Sequence, residues 1–391
     1  MRKQTPKGTR YVARWRTPEG RSREQWFDRK VDADRHLAAV TTAKASGAYV
    51  DAAAGRVTFR EYAEAWAERQ PHRGSTAQSV RVILDKHVLP TFGSRPLAAI
   101  RPSEVQAWVS GLELAPSTVA VVYGKLAGIL RSAVDDRLIA HSPCGRQIKL
   151  PRAHGGEVVP MEPREVRAIV DAAPAHYRAL LVLIAGTGTR PGEALGLTSS
   201  RVDWLRRTIR VDRQLVTLSG QAPQFGPCKT PASVRTIPVP DAVLVELGRH
   251  VKRFEVVDDG ELAGLLFRDE KGDPIRRNAL GHMWRRAARK VNDSATRDGA
   301  RIVDRTPHDL RHYCASVLIA SGSSVKAVQK HLGHASATTT LDTYAHLWPD
   351  SQDTTRAALA AGLSGVVNDD APAFGSSHRG STVPSTGTSP A

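Results

Sequence analysis

Two short segments of this 391-residue chain carry residue types suited to holding an anion. The first is Arg305-Thr306-Pro307-His308-Asp309-Leu310-Arg311. Proline favours the first turn of a helix and threonine the cap before it, so the spacing predicts a helix beginning at Thr306. His308 and Arg311, three apart, then share a face of that first turn. The amides there are unpaired and the dipole end is positive, so an anion beside them is stabilised. A guanidinium and an imidazole added to such a helix end suit a phosphate. The second segment, Gly186-Thr-Gly-Thr-Arg190-Pro191-Gly192-Glu193, repeats the logic and puts Arg190 at the mouth of another proline-initiated helix.

Other readings of these residues are weaker. Gly-Thr-Gly-Thr lacks the Gly-Lys-Ser/Thr ending of a nucleotide-binding loop. His308-x3-His312, with His331 and His334 downstream, suggests zinc, but Asp309 stands where the metalloprotease pattern needs glutamate, and Cys314 has no thiolate neighbour. Taken singly, Arg190 and Arg311 read equally well as surface cations paired with Glu193 and Asp309. Tyr344 is one of seven tyrosines. The set and its order decide the matter.

Arg190-x-x-Glu193, Lys229 within Pro-Cys-Lys-Thr-Pro-Ala-Ser-Val-Arg-Thr-Ile-Pro, His308-x-x-Arg311, His331-Leu-Gly-His334 and Thr343-Tyr344-Ala-His346 follow one another along the chain. In this it resembles the tyrosine recombinases, specifically their phage-integrase branch, strongly over about 160–350. The resemblance implies a catalytic set of Arg190, Lys229, His308, Arg311, His334 and Tyr344, with Glu193 in support. Tyr344 attacks the scissile phosphate, forming a 3′-phosphotyrosyl bond and releasing a 5′-hydroxyl. His308 accepts the phenolic proton, Arg190 and Arg311 clamp the non-bridging oxygens, and Lys229, on a strand-to-strand hairpin loop, protonates the leaving oxygen. His334 hydrogen-bonds the phosphate and Glu193 orients its neighbours. A phenol, with pKa near 10, is neutral at pH 7 and needs such help. Because the bond energy is retained in the phosphotyrosine, no cofactor is implied, neither ATP nor metal.

The implied function is site-specific recombination that integrates or excises a prophage or mobile element. The alternatives are a replicon- or transposon-resolving recombinase and an architectural or regulatory DNA-binding protein with an unused active site. Implied partners are double-stranded DNA at core and arm-type attachment sites and three further copies in a synaptic homo-tetramer, where residues 351–362 pack on a neighbour or on their own domain. An excision factor or a host DNA-bending protein completes the implied partners.

The elements that must position these residues fall into a multidomain fold. Residues 1–56 have 13 Lys+Arg against six Asp+Glu. Tyr11, Ala13 and Trp15 alternate with Arg14 and Arg16, a turn signal follows at 17–20, and Gln25-Trp26-Phe27 resumes the extended pattern, so a basic hairpin is expected. A helix over 32–45 follows, ended by Gly47. This segment resembles an arm-type DNA-binding domain, with Arg14, Arg16 and Arg23 as candidate DNA contacts. Residues 57–150 read as an all-α block, with a capping box at Thr58–Glu61, then helices over 76–88, from Pro102 and from Ser117, and this block resembles the family's core-binding domain. Residues 151–160 read as a linker. A mixed α+β, mainly α, catalytic domain covers 161–365, with helices at 163–173, 176–185 and from Pro191, strands at 208–212 and 235–239, and helices again after 278. The Ser/Thr/Gly/Pro-rich tail, 366–391, reads as disordered.

Composition agrees. Lys+Arg outnumber Asp+Glu by 56 to 39, a formal charge of +17, and 43 of the 56 are arginine. Arginine forms bidentate contacts to phosphate, which suits a polyanionic partner, although a GC-rich genome inflates arginine too. The longest strongly apolar run, Ala179–Ala185, is far short of the roughly 20 residues a membrane span needs. The N-terminus shows no secretory h-region, and Cys144, Cys228 and Cys314 fit neither a disulfide framework nor zinc spacing. A cytoplasmic location is the expectation. A chain gripping many phosphates should bind DNA with affinity that falls steeply from about 50 to 200 mM salt, by about 0.9 log units per contact per log unit of salt. A flat dependence in a fluorescence-anisotropy titration would contradict that grip.

Overall fold

The computed structural model describes residues 2–5, 8–18, 20–47, 49–51, 53–152, 157–295, 299, 301–348 and 352–364. The expected tail, 366–391, and part of the expected linker, 153–156, lie outside the described residues. The chain opens with β1 (Arg2–Thr5), β2 (Gly8–Arg16) and β3 (Ser22–Phe27), an antiparallel sheet in that order. The expected hairpin is its β2–β3 part, with Tyr11 opposite Phe27 and Trp15 opposite Arg23; β1 adds a third strand. Helix α1 (Lys30–Ala45) covers one face, burying Ala33 and Val40 over the sheet that buries Val12 and Ala13.

A helical block follows: α2 (Phe59–Arg69), α3 (Gly74–Ile83), α4 (Leu89–Phe92), α5 (Pro102–Ser110) and α6 (Pro116–Asp135). The capping box forms in full, the Thr58 hydroxyl accepting from the Glu61 amide while the Glu61 carboxylate accepts from the Thr58 amide. Val122, Leu126, Ile129, Leu130 and Ala133, at helical spacing along α6, are all buried in one core with Phe59, Val105 and Trp108. The helix expected over 76–88 starts two residues earlier and does not stop before Pro90. A π turn, Leu84–Val88, carries it into α4, with the proline, which has no N–H to give, in the first turn. The Trp108 indole donates to the His87 carbonyl at 3.0 Å and ties α5 to this turn.

The C-terminal half comprises α7 (Pro163–Ala172), α8 (Ala175–Thr187), α9 (Pro191–Leu195), β4 (Val202–Asp203), β5 (Thr208–Val211), β6 (Arg213–Val216), β7 (Gln224–Pro227), β8 (Arg235–Pro238), α10 (Asp241–Arg253), α11 (Arg277–Ser294), α12 (Asp309–Ala320), α13 (Val325–Leu332), α14 (Ala337–Tyr344) and α15 (Gln352–Leu363). The apolar run in α8 is the core of this unit, with Leu180, Leu181, Leu183 and Ile184 inaccessible and α10 and α12 packed on it. A helix apolar on every side is buried on every side. The two expected strands pair antiparallel as β5 and β8, Ile209 opposite Ile237, and the loop between them folds into a further hairpin, β6–β7. Val158 packs against the cluster formed by Ala315, Val328, Leu332 and Tyr344, and its carbonyl meets His346 Nε2 at 2.8 Å, so this end of the expected linker is bound to the C-terminal half.

One boundary differs where it matters. The helix expected from Thr306 begins at Asp309, and the Asp309 carboxylate reaches back to accept from both the amide and the hydroxyl of Thr306, each at 2.8 Å. The Asp309 amide closes a turn onto the Thr306 carbonyl at 3.0 Å, and His308 stands at the cap.

Gly188 closes α8 in the left-handed region, φ 61°, where α8, α12 and α13 meet. A methyl group there would come 2.6 Å from Leu332 Cδ2 and 3.2 Å from Cys314 Sγ, both buried. Gly188→Ala should therefore lower stability by about 1–3 kcal/mol, from strain plus overpacking, read as a drop in melting temperature. An unchanged melting temperature would show that the junction can yield.

Candidate active site

The site is organised by the end of α13. Gly333 takes φ 68°, which few side chains tolerate, and the amides of Gly333 and His334 turn back onto the Gln329 carbonyl at 2.9 and 3.1 Å. The next carbonyls are thus left without helical partners at the negative end of the helix dipole. Three arginines from three elements take them in sequence. Arg235, on β8, donates to the His331 carbonyl at 2.7 Å, Arg311, on α12, to Leu332 at 2.8 Å, and Arg190, before α9, to Gly333 at 3.3 Å. Arg311 also donates to the Gly188 carbonyl at 2.5 Å. Glu193 sits between two of them, receiving Arg190 Nη1 at 2.8 Å and Arg235 Nη2 at 3.1 Å, with its side chain 1% exposed. Burial raises its pKa, but Arg235 and Arg190 outweigh that and hold the carboxyl below its ordinary value.

Arg311 is 2% exposed and bonds no carboxylate among the described residues. Burial, with Arg190 nearby, pushes its pKa down to about 10, which still leaves it charged at pH 7. His308 and His334 are pushed down to about 4, first by burial; His312 and Arg311 then add to the effect at His308, and Arg311 and Arg190 at His334. Both are neutral at pH 7 and able to exchange a proton or accept a hydrogen bond. His334 Nδ1 is fixed on the Thr340 hydroxyl at 2.8 Å. Tyr344, the last residue of α14, is 1% exposed, its ring parallel to that of His334 with centroids 6.3 Å apart. Burial raises its hydroxyl to about 12 even though Arg311 opposes the shift. What results is an anion-binding cluster beside a stored phenol.

The chain's similarities agree with that chemistry. Residues 160–350 match the phage integrase family, and residues 58–112 match the phage integrase N-terminal SAM-like domain. The chain belongs to the phage integrase family. Among its relatives, a putative prophage phiRv2 integrase of Mycobacterium tuberculosis is 29% identical over 80% of both chains. The integrase of Mycobacterium phage D29 is 26% identical over 72% of this chain and 73% of its own. The fold resembles that of the Tn1549 transposon integrase in complex with a circular intermediate DNA, with TM-score 0.66, 24% identity and coverage of 77% of this chain and 98% of that one. It also resembles a lambda integrase dimer bound to a core site, with TM-score 0.54, 17% identity and coverage of 76% and 97%.

In this phage integrase family chain, then, Arg190, Glu193, His308, Arg311, His334 and Tyr344 come together from four helices and their caps. Lys229 stands apart. It follows β7, which pairs with β6 and not with β8, so it lies on a connection between two sheets and not on the tip of a hairpin. Its residue is exposed, while four residues further on the Ser233 hydroxyl accepts from Arg190 at 2.9 Å. Arg235, the third arginine, carries no role in the sequence reading although it lies in the Lys229 motif. His312 is missed too: its Nδ1 lies 2.8 Å from the Tyr344 hydroxyl. The only local signal was its spacing, one turn from His308. Of the candidate DNA contacts, Arg14 is paired with Glu24 at 3.0 Å and Arg23 with Asp51 at 2.6 Å, while Arg16 is exposed.

Glu193 carries a test. Its folded pKa lies below the unfolded one, so its contribution to stability is full above the unfolded value, near 4.5, and is lost as pH falls through the folded value. Glu193→Gln leaves two arginines without their counter-charge and should cost about 3–5 kcal/mol at pH 7. The gap between wild type and variant in denaturant unfolding should narrow toward pH 4. A gap independent of pH would mean that the carboxylate charge is irrelevant there.

Proposed function

We propose that this phage integrase family member is a tyrosine-type site-specific DNA recombinase that integrates or excises a prophage or mobile element, cleaving each strand through a 3′-phosphotyrosyl bond. The observation that carries this reading is the cluster of Arg190, Arg235 and Arg311 around Glu193, with the Tyr344 phenol at its edge. Three positive charges against one negative leave 3 − 1 = +2, a deficit that a phosphodiester reduces. Arg190 and Arg311 are preorganised by carbonyls and a carboxylate, so they need little rearrangement as charge builds on the non-bridging oxygens. The Tyr344 oxygen attacks phosphorus, the bond to the 5′-oxygen breaks, and Lys229, brought in from its exposed connection, protonates the departing oxygen. His308 and His334, both neutral, hydrogen-bond the phosphate and exchange protons. Rejoining runs the same steps backwards.

The fold suits a protein that encloses duplex DNA. The three-stranded basic sheet with α1 serves arm-type sites, and the α2–α6 block serves core sites opposite the catalytic half. Helix α15 has Leu359 61% and Leu363 50% exposed, an apolar surface suited to docking on a neighbouring protomer in a tetramer. A lambda integrase tetramer bound to a Holliday junction has a related fold, with TM-score 0.52.

A nicked duplex that loses its 5′-hydroxyl fragment after cleavage should trap wild type as a covalent adduct in EDTA, visible on a denaturing gel. Tyr344→Phe should form none, and Arg190→Lys should slow adduct formation by about 10²–10³. An adduct from Tyr344→Phe would overturn the nucleophile assignment. An absolute requirement for Mg²⁺ would count against the chemistry itself.

A further inference from the structure

The hydroxyl of Tyr344 is not free in its pocket. It lies 2.8 Å from Nδ1 of His312, within the distance at which a nucleophile hands its proton to a base. The two rings meet edge to face with centroids 5.6 Å apart, and the His334 ring is nearly parallel to the phenol with centroids 6.3 Å apart. The His308 ring is perpendicular to that of His312, with centroids 5.0 Å apart. Among the described residues no hydrogen bond joins His308 to Tyr344. Resting on the reading of Tyr344 as the nucleophile, we propose that His312 is the catalytic residue that takes its proton, and that His308 serves the phosphate.

The step balances. A lone pair of the Tyr344 oxygen forms the bond to phosphorus, and the phenolic proton passes to Nδ1 of a neutral His312 whose own proton is on Nε2. The bond from phosphorus to the 5′-oxygen breaks, and that oxygen leaves with the proton from Lys229. Rejoining returns each proton to its source. The groups facing His312 fit this part. His308, Asp309 and Arg311 come from its own helix and cap, Arg305 from the loop before it, and Tyr344 from α14. Burial, with Arg311 and Arg305, keeps the imidazole below its ordinary pKa against the opposing charge of Asp309, so it is neutral and receptive at pH 7.

His312→Asn separates holding from proton transfer. The asparagine amide can reach the position of Nδ1 and keep a hydrogen bond to Tyr344, but it takes up no proton. Cleavage of the nicked duplex is followed in single turnover from pH 6 to 9, with melting temperature and DNA affinity measured alongside. His312→Asn should bind DNA as wild type does and cleave about 10²-fold or more slowly at pH 7. Its rate should climb about tenfold per pH unit, because attack then requires a phenolate whose pKa is about 12, whereas wild type levels off. A 5′-bridging phosphorothiolate, whose sulfur leaves without being protonated, should restore Lys229→Ala but not His312→Asn.

His312→Asn cleaving within threefold of wild type, with a level profile, overturns the proposal. Restoration of His312→Asn by the phosphorothiolate also overturns it, since that places the defect at the leaving group. A steep profile in His308→Asn and a level one in His312→Asn assigns the proton to His308. If His312→Asn melts low, His312→Gln is read by the same criteria. Should Tyr344→Phe form an adduct, the nucleophile assignment fails and His312 falls with it. An inert Tyr344→Phe beside a fully active His312→Asn removes the role of His312 alone.

Discussion

Three guanidinium groups on three successive carbonyls at the end of α13 are what the C-terminal half is arranged around. A helix C-terminus leaves its last carbonyls unpaired with the dipole negative, so it attracts cations. Here the turn at Gly333 satisfies the Gln329 carbonyl by backbone amides and leaves His331, Leu332 and Gly333 to arginine. A side chain at 333 would disturb this twice over, since its Cβ would lie 3.0 Å from both the Ala232 carbonyl and Arg235 Nη1. The arginines come from α12, β8 and the loop before α9, so the same contacts that set the charge also tie those three elements together.

The other properties of the site follow from that charge. Burying cations beside one carboxylate costs free energy unless hydrogen bonds compensate, and a bound anion recovers part of it. The same field and the same burial strip the proton from His308 and His334 at neutral pH. They act in opposition on Tyr344, where burial prevails and the phenol stays protonated. In the proposed role of nucleophile, a phenol kept inaccessible and protonated is quiet until a phosphate arrives to use the cluster, which suits site-specific recombination.

Much of this was legible in the residues. The Thr58–Glu61 capping box, the inward face of α6, the strands at 208–212 and 235–239 and the helix stop at Gly47 all rest on interactions within a few residues or on simple periodicity. The family motifs named Arg190, His308, Arg311, His334 and Tyr344, and these do converge. What escaped was the detail that depends on partners far along the chain. Asp309 was expected inside the helix, and its carboxylate instead closes the turn before it. Val158 was expected in a linker and is tied to His346. Lys229 was expected at a hairpin tip and follows a strand that pairs elsewhere.

The sequence by itself determined the helices, their caps, the basic balance and the order of the anion-binding residues, because each is set by near neighbours. Only the tertiary structure decided which groups touch. Arg190 meets a carbonyl 143 residues away, Arg235 shares Glu193 across 42, and Tyr344 turns its hydroxyl to His312 and not to His308. In sequence His308 and His312 are two histidines one turn apart. The way α14 packs against α13, and α13 against α12, points the phenol at only one of them.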